Sequence, residues 1–184
     1  MEAEHMKGAT TASKLFIIDR RLHSPPSDPS RKGTDMLKVS YDEAAQLTGR
    51  DLGYSEYRTI NQDRVNTFAD ATDDQQWIHT DPERAKTGPF GGPVAHGFLS
   101  LSLAIPMWGE LLDVEDVSTK VNYGLDKVRF VSPVPVGSRI RMGGVVAEVK
   151  DLGKGLQLTV DQTIEVEGSD KPAVVARGIY RFYR

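Results

Sequence analysis

The stretch from His96 to Leu112 constrains the fold more than any other. It carries Phe98, Leu99, Leu101, Leu103, Ala104, Ile105, Met107, Trp108, Leu111 and Leu112. A helix wound over it would be apolar on nearly every side, and such a helix must be surrounded by protein. Pro106 should kink it or end its first part, because proline lacks the N–H and crowds the carbonyl four residues back. Its surroundings are expected downstream, where the apolar period changes from helix to strand. Segments 117–123, 126–131, 138–149, 156–167 and 173–183 read as strands. Within one of them, Leu156, Leu158, Val160, Gln162, Ile164 and Val166 alternate with Gln157, Thr159, Asp161, Thr163, Glu165 and Glu167. One face of that strand should be buried and the other wet. Gly153-Lys154-Gly155 and Gly168-Ser169-Asp170-Lys171 close hairpins. Helices first and antiparallel strands afterwards make an α+β order. A curved antiparallel sheet wrapped around one long central helix accounts for both patterns.

Upstream, Ser40-Tyr41-Asp42-Glu43 is a capping box. A short helix should follow and stop at Gly49. Residues 57–60 read as a short strand. Asn61 caps a second helix with Val65, Phe68 and Ala69 at helical spacing. Residues 72–80 read as an irregular loop. Asp81-Pro82 opens another short helix, and Gly88-Pro89-Phe90-Gly91-Gly92-Pro93 is a turn-rich loop. Residues 1–35 differ in kind: Ser24-Pro25-Pro26-Ser27-Asp28-Pro29-Ser30 favours a loosely held N-terminal extension, with a docking or dimer-wrapping arm as the functional alternative. The single domain is expected over 36–184.

Composition narrows the function. The 184 residues suit one domain, which gains from dimerising because a lone domain of this size buries only part of its surface. A net charge of −3 from 23 basic and 26 acidic residues leaves no electrostatic footprint for nucleic acid. Cysteine is absent, excluding disulfides and thiolate metal sites. No apolar run approaches the ~20 residues that span a bilayer. The cluster Leu15-Phe16-Ile17-Ile18 is too short for a signal-peptide core. The expectation is a cytoplasmic protein with no nucleic-acid or membrane partner.

Candidate chemistry sits between the helices. Asp74 and His79 share a polar loop, and a five-residue separation lets both side chains turn towards one point. Histidine titrates near neutrality and a carboxylate can hold or deprotonate water, so the pair suits general acid–base work. Capping and surface polarity are the plainer reading of that spacing. His96-Gly97 heads the apolar helix, where backbone N–H groups lack intrahelical partners and could meet a developing oxyanion. Tight packing would equally explain Gly97, and a helix cap would explain His96. A metal held by Asp74, His79 and His96 is not expected, since His96 heads a buried helix. No P-loop, dinucleotide fingerprint or Gly-x-Ser-x-Gly elbow is present.

Three segments in order carry a resemblance. Phe68 to Pro82 (FADATDDQQWIHTDP) resembles the hydratase signature of MaoC-like dehydratases, the R-specific enoyl-CoA hydratases of the hot dog fold. Gly91-Gly92-Pro93-Val94-Ala95-His96-Gly97-Phe98 resembles their entry into the central helix. Val121 to Phe130 (VNYGLDKVRF) with Pro133-Val134-Pro135-Val136-Gly137 fits as well. The overlap runs from about residue 40 to the C-terminus and looks most like the single-domain, nodulation-protein-N-like branch.

The resemblance implies a hydro-lyase of fatty-acid metabolism that adds water to trans-2-enoyl-CoA, reversibly, giving (3R)-hydroxyacyl-CoA. It places the catalytic aspartate on Asp74 and the histidine on His79. The glycine whose N–H contacts the thioester oxygen falls on Gly97, with His96 beside it as a substrate contact. It implies no cofactor beyond the coenzyme A of the substrate, and a homodimer with sites at the interface. Lys127 and Arg129, or Arg139 and Arg141, are the cations available for coenzyme A phosphates, though each also reads as a solvated strand residue. Many relatives have Asn-Pro where this chain has Gln76-Trp77, so Trp77 must fix the loop by packing. An assisting serine has no certain counterpart, although Ser100 and Ser102 lie on the same helix. A hot dog thioesterase is the second reading, with Glu110 the only carboxylate the helix offers. A non-catalytic acyl-binding module is the third.

Overall fold

The long alternating segments of the C-terminal half pair into a sheet, as their period of two requires. In this computed structural model, which describes residues 36–184, β6 (Arg139–Asp151), β7 (Gly155–Val166) and β8 (Pro172–Tyr183) form an antiparallel meander. The strand β5 (Thr119–Phe130) pairs with β8 at one side, and β2 (Asp51–Tyr54) and β3 (Arg58–Thr59) pair with β6 at the other. A separate parallel pair joins β1 (Leu37–Val39) to β4 (Leu112–Val114). This is the α+β hot dog architecture. The extension expected at 1–35 lies outside the described residues.

The two strands expected at 117–123 and 126–131 are one strand, β5. Gly124 and Asp126 do not end it, because register shifts at Asn122/Gly124 and Leu125/Lys127 absorb the irregular residues as bulges. Upstream, the capping box forms as expected. Ser40 Oγ accepts from Glu43 N, and the Glu43 carboxylate accepts from Ser40 N, opening α1 (Tyr41–Ala44). Asn61 accepts from Arg64 N and opens α2 (Gln62–Thr72), which buries Val65 and Ala69. The loop expected over 72–80 contains one helical turn, α3 (Trp77–Thr80), followed by α4 (Pro82–Ala85) capped by Asp81.

The expected long central helix is two short ones. They are α5 (Gly97–Ser102) and α6 (Ala104–Trp108), meeting at Leu103. The break falls where Pro106 dictates. Its missing N–H would have paired with the Ser102 carbonyl, and its ring crowds that same carbonyl. Leu112, expected in the helix, begins β4 instead. Leu99, Met107 and Trp108 join one apolar cluster with Ile140, Met142, Leu158, Val160 and Val174 of the sheet. Gln162 sits on the buried face of β7 and donates to the Tyr180 hydroxyl at 2.6 Å. Burial pushes the Tyr180 phenol up to about 12, so it stays neutral.

The helical segment is not enclosed on every side. Phe98 is 67% exposed and Ile105 41%. They add to Val121, Tyr123 and Leu125 on β5, which pairs with no strand but β8 among the described residues. The wet side of the meander carries cross-strand ion pairs, Arg141 with Glu165 and Arg177 with Asp161. Among the described residues no helix is long and apolar enough to cross a membrane. Leu158 is fully buried at 0% in the centre of the sheet. Leu158→Ala should therefore cost about 3 kcal/mol of unfolding free energy, read from the shift of a urea denaturation midpoint.

Candidate active site

The position of Asp74 is set by the end of α2. Asp73 closes that helix in the left-handed region at φ 57°, a conformation short polar side chains tolerate. The turn leads the Asp74 N–H back to the Ala69 carbonyl at 3.1 Å. The Asp74 carbonyl accepts from His96 Nε2–H at 3.0 Å. The backbone at Asp74 is thus held from both ends, while its side chain stays 53% exposed.

His79 rides on the single turn α3. A lone turn is too short to stand by propensity, so its neighbours hold it. Gln62 Nε2 donates to the His79 carbonyl at 2.7 Å, and Val94 N donates to the Ile78 carbonyl at 3.0 Å. Trp77 supplies the packing that a proline would have replaced. A Cβ at Gly88 would come within 2.9 Å of the Trp77 ring, and the Arg84 guanidinium covers that ring at 4.4 Å. The His79 ring is fixed by its Nδ1, 2.6 Å from the Val94 carbonyl. A carbonyl only accepts, so Nδ1 carries the proton and the neutral ring keeps its lone pair on Nε2. Burial pushes His79 below its ordinary 6.5, and neighbouring His96 adds to the fall; the Val94 hydrogen bond and the Asp74 charge oppose it.

Val94 is also the hinge to the rest of the site. It bridges Pro135, and Ala95 N donates to the Val134 carbonyl at 2.8 Å. This short pairing delivers the chain to His96 and to Gly97 at the start of α5. The Gly97 N–H lies in the first turn, where no intrahelical acceptor exists. Both readings of Gly97 meet here, because a Cβ would also strike the Phe130 ring at 2.9 Å. Beside it opens a cleft of about 260 Å³ with His79, Gly97 and Ser100 on its wall among Ile78, Phe90, Val94, Phe130 and Val174. The lining is mostly apolar with a few polar groups, the character of a small-molecule site.

The structure thus brings Asp74, His79 and His96 together, each offering an atom within 4.8 Å of the others. Of these, His79 lines the cleft together with Gly97, while Asp74 and His96 stand behind its wall. His96, expected as a substrate contact, instead buries its ring to 2% exposure, stacked on His79 at 3.8 Å. Ser100 reaches the cleft, whereas Ser102 turns its hydroxyl back to the Phe98 carbonyl. Lys127 and Arg129 sit exposed on β5, and Arg129 donates to the Val128 carbonyl. Arg139 and Arg141 are engaged by Glu167 and Glu165. Glu110 lies beyond α6, paired with Arg58 and accepting from Glu56 N, which takes it away from the cleft. The Val94 carbonyl and Gln62 are site residues that the sequence did not disclose; both hold His79 through a main-chain carbonyl, which leaves no residue-type signature.

The three side chains each offer one atom that could ligate a metal, but the two rings stack instead of converging edge-on. The two imidazole planes stack only 29° from parallel, so they meet well beyond the ~2 Å reach of a zinc–nitrogen bond. His79 Nδ1 and His96 Nε2 are also spent on carbonyls. What the arrangement can do is hold one water. The His79 Nε2 lone pair and the Asp74 carboxylate both accept, and a water has two O–H bonds to give.

A hot dog sheet with a neutral histidine on the wall of an apolar cleft and an aspartate close to that histidine defines a class, and residues 43–168 match the MaoC like domain model. The chain belongs to the MaoC-like dehydratase family. It is 51% identical over 144 residues to the 3-hydroxyacyl-thioester dehydratase Z of Mycobacterium tuberculosis, covering 78% of this chain and 95% of that protein. It is 42% identical over 147 residues to nodulation protein N of Rhizobium leguminosarum bv. viciae, covering 78% and 91%. An (R)-hydratase from A. caviae involved in PHA biosynthesis shares the fold at a TM-score of 0.61 and 24% identity, over 72% of this chain and 94% of that one.

The desolvated, tautomer-locked His79 yields a direct expectation. Its imidazole signals, followed by NMR against pH, should titrate below 6.5, with Nδ1 carrying the proton in the neutral form. A midpoint above 6.5 would mean that the Asp74 charge outweighs burial.

Proposed function

We propose that this chain adds water to trans-2-enoyl thioesters to give (3R)-hydroxyacyl thioesters, and runs the dehydration in reverse. The observation that carries this reading is His79, held neutral on the wall of an apolar cleft with an unprotonated Nε2, and offering a ring nitrogen within 4.8 Å of an Asp74 carboxylate oxygen. One water held by both acceptors can add across the double bond. Its oxygen bonds to C3 as one of the pair takes a proton, and a proton passes to C2. The sum is H and OH added, with the two groups returned to their starting states. The Gly97 N–H is the donor suited to the thioester oxygen as it gains enolate charge. The (3R) configuration follows the family resemblance, and the name of dehydratase Z supports a thioester substrate.

A homodimer completes the proposal. Among the described residues one edge of β5 is unpaired, and Phe98, Ile105 and Leu125 are exposed apolar side chains that a second copy would cover. Lys127 and Arg129 are the cations proposed for coenzyme A phosphates, and no separate cofactor is required. The protein should sediment at the dimer mass, and Ile105→Asp should shift it towards monomer. A wild-type monomer at micromolar concentration would overturn the dimer.

Hydration of crotonyl-CoA, followed as loss of enoyl absorbance with a thiol reagent present, tests the reaction. Asp74→Asn and His79→Gln should each lower kcat by roughly 10²–10⁴-fold. Near wild-type turnover by either folded variant would remove that residue from the mechanism. Thiol release would signal a thioesterase, and binding without turnover an acyl-binding module.

A further inference from the structure

We infer that His96 is the positioning residue of the Asp74–His79 pair, setting their relative geometry without touching substrate; the inference rests on the hydratase reading. Its ring is joined to both members at once. Through its edge, Nε2–H donates to the Asp74 carbonyl at 3.0 Å, and the same nitrogen lies 3.9 Å from Asp74 Oδ2. Through its face, it stacks on His79 at 3.8 Å. Phe68 packs against it at 5.1 Å, and the ring is only 2% exposed. Without His96, Asp74 would keep only the Ala69 tie on its N–H, and His79 would lose the surface beneath its ring.

The bond also fixes the tautomer. A carbonyl acceptor requires the proton on Nε2, which leaves Nδ1 as an unprotonated nitrogen, buried and without a partner. A buried polar atom left unsatisfied costs stability, and a phenylalanine in the same space would avoid that cost. Phenylalanine could fill the same space but could not make the Nε2–H bond to the Asp74 carbonyl. Packing alone would not need it.

The nitrogen-specific geometry provides the test. A glutamine amide reaches where Nε2 lies, an asparagine amide reaches only where Nδ1 lies, and phenylalanine keeps the stack without either. In crotonyl-CoA hydration, His96→Phe and His96→Asn should lower kcat by about 10–100-fold with KM within about twofold of wild type. His96→Gln should recover kcat to within about fivefold of wild type. Circular dichroism and thermal melts report folding, and if His96→Phe does not fold, the Gln–Asn comparison decides. A raised KM with unchanged kcat would make His96 a substrate contact and overturn the proposal. Equal loss in Gln and Asn, or wild-type kcat in all variants, would overturn it too. An inactive wild-type enzyme would instead refute the hydratase reading itself.

Discussion

Trp108 lies flat on Tyr180, ring centroids 4.4 Å apart and 8° from parallel, and this stack joins the helical segment to the sheet. Tyr180 is in turn anchored to Gln162 on the neighbouring strand, so the helix rests on two strands through one aromatic surface. Met107 and Leu99 complete the seat at 0% and 6% exposure. Burial on this scale, about 1.5–3 kcal/mol for each large apolar side chain, far exceeds the propensity of two helices of six and five residues. Tertiary burial therefore holds the segment in place. Its first residues, His96 and Gly97, are delivered to the cleft as a consequence.

From that anchor the site is assembled mostly by backbone carbonyls. The Val94 carbonyl selects the His79 tautomer, the Asp74 carbonyl selects the His96 tautomer, and the Ala69 carbonyl holds the turn at Asp73. Each bond has a second effect. Fixing Nδ1–H on His79 leaves Nε2 as the available base, and fixing Nε2–H on His96 spends that nitrogen on structure. Two histidines of the same type are thereby given opposite tautomers and different tasks by acceptors fifteen and twenty-two residues away in sequence.

Much of this was legible in the residues. The alternation in Leu156–Val166 predicts the inner strand, Ser40 and Asn61 mark their helix starts, and Asp74 and His79 do lie close together, with His79 and Gly97 on one cleft wall. The misreadings share one cause. Helix-period apolarity over His96 to Leu112 does not reveal that Leu112 is claimed by β1, whereas the interruption of the helix was legible in Pro106. Likewise Gly124 and Asp126 look like strand breakers until β8 supplies a partner that tolerates bulges. The turn α3 has no propensity signal, since its stability comes from Gln62, Val94 and the Trp77–Gly88 contact. Tertiary partners decided each of these.

The local costs of the fold are concentrated where chemistry is proposed. Asp73 takes a left-handed conformation immediately before Asp74. His96 Nδ1 is buried unpaired beneath His79. Phe98 stands exposed one residue after Gly97 and packs edge-on to Phe130, which itself precludes a side chain at Gly97. Sequences selected for stability alone avoid such features, and their clustering marks positions held for another reason. The exposed pair Phe98 and Phe130 belongs to the same argument. Phe130 lines the cleft and Phe98 packs edge-on against it, so exposed apolar surface is concentrated at the cleft beside the one helix start that must stay free of a side chain.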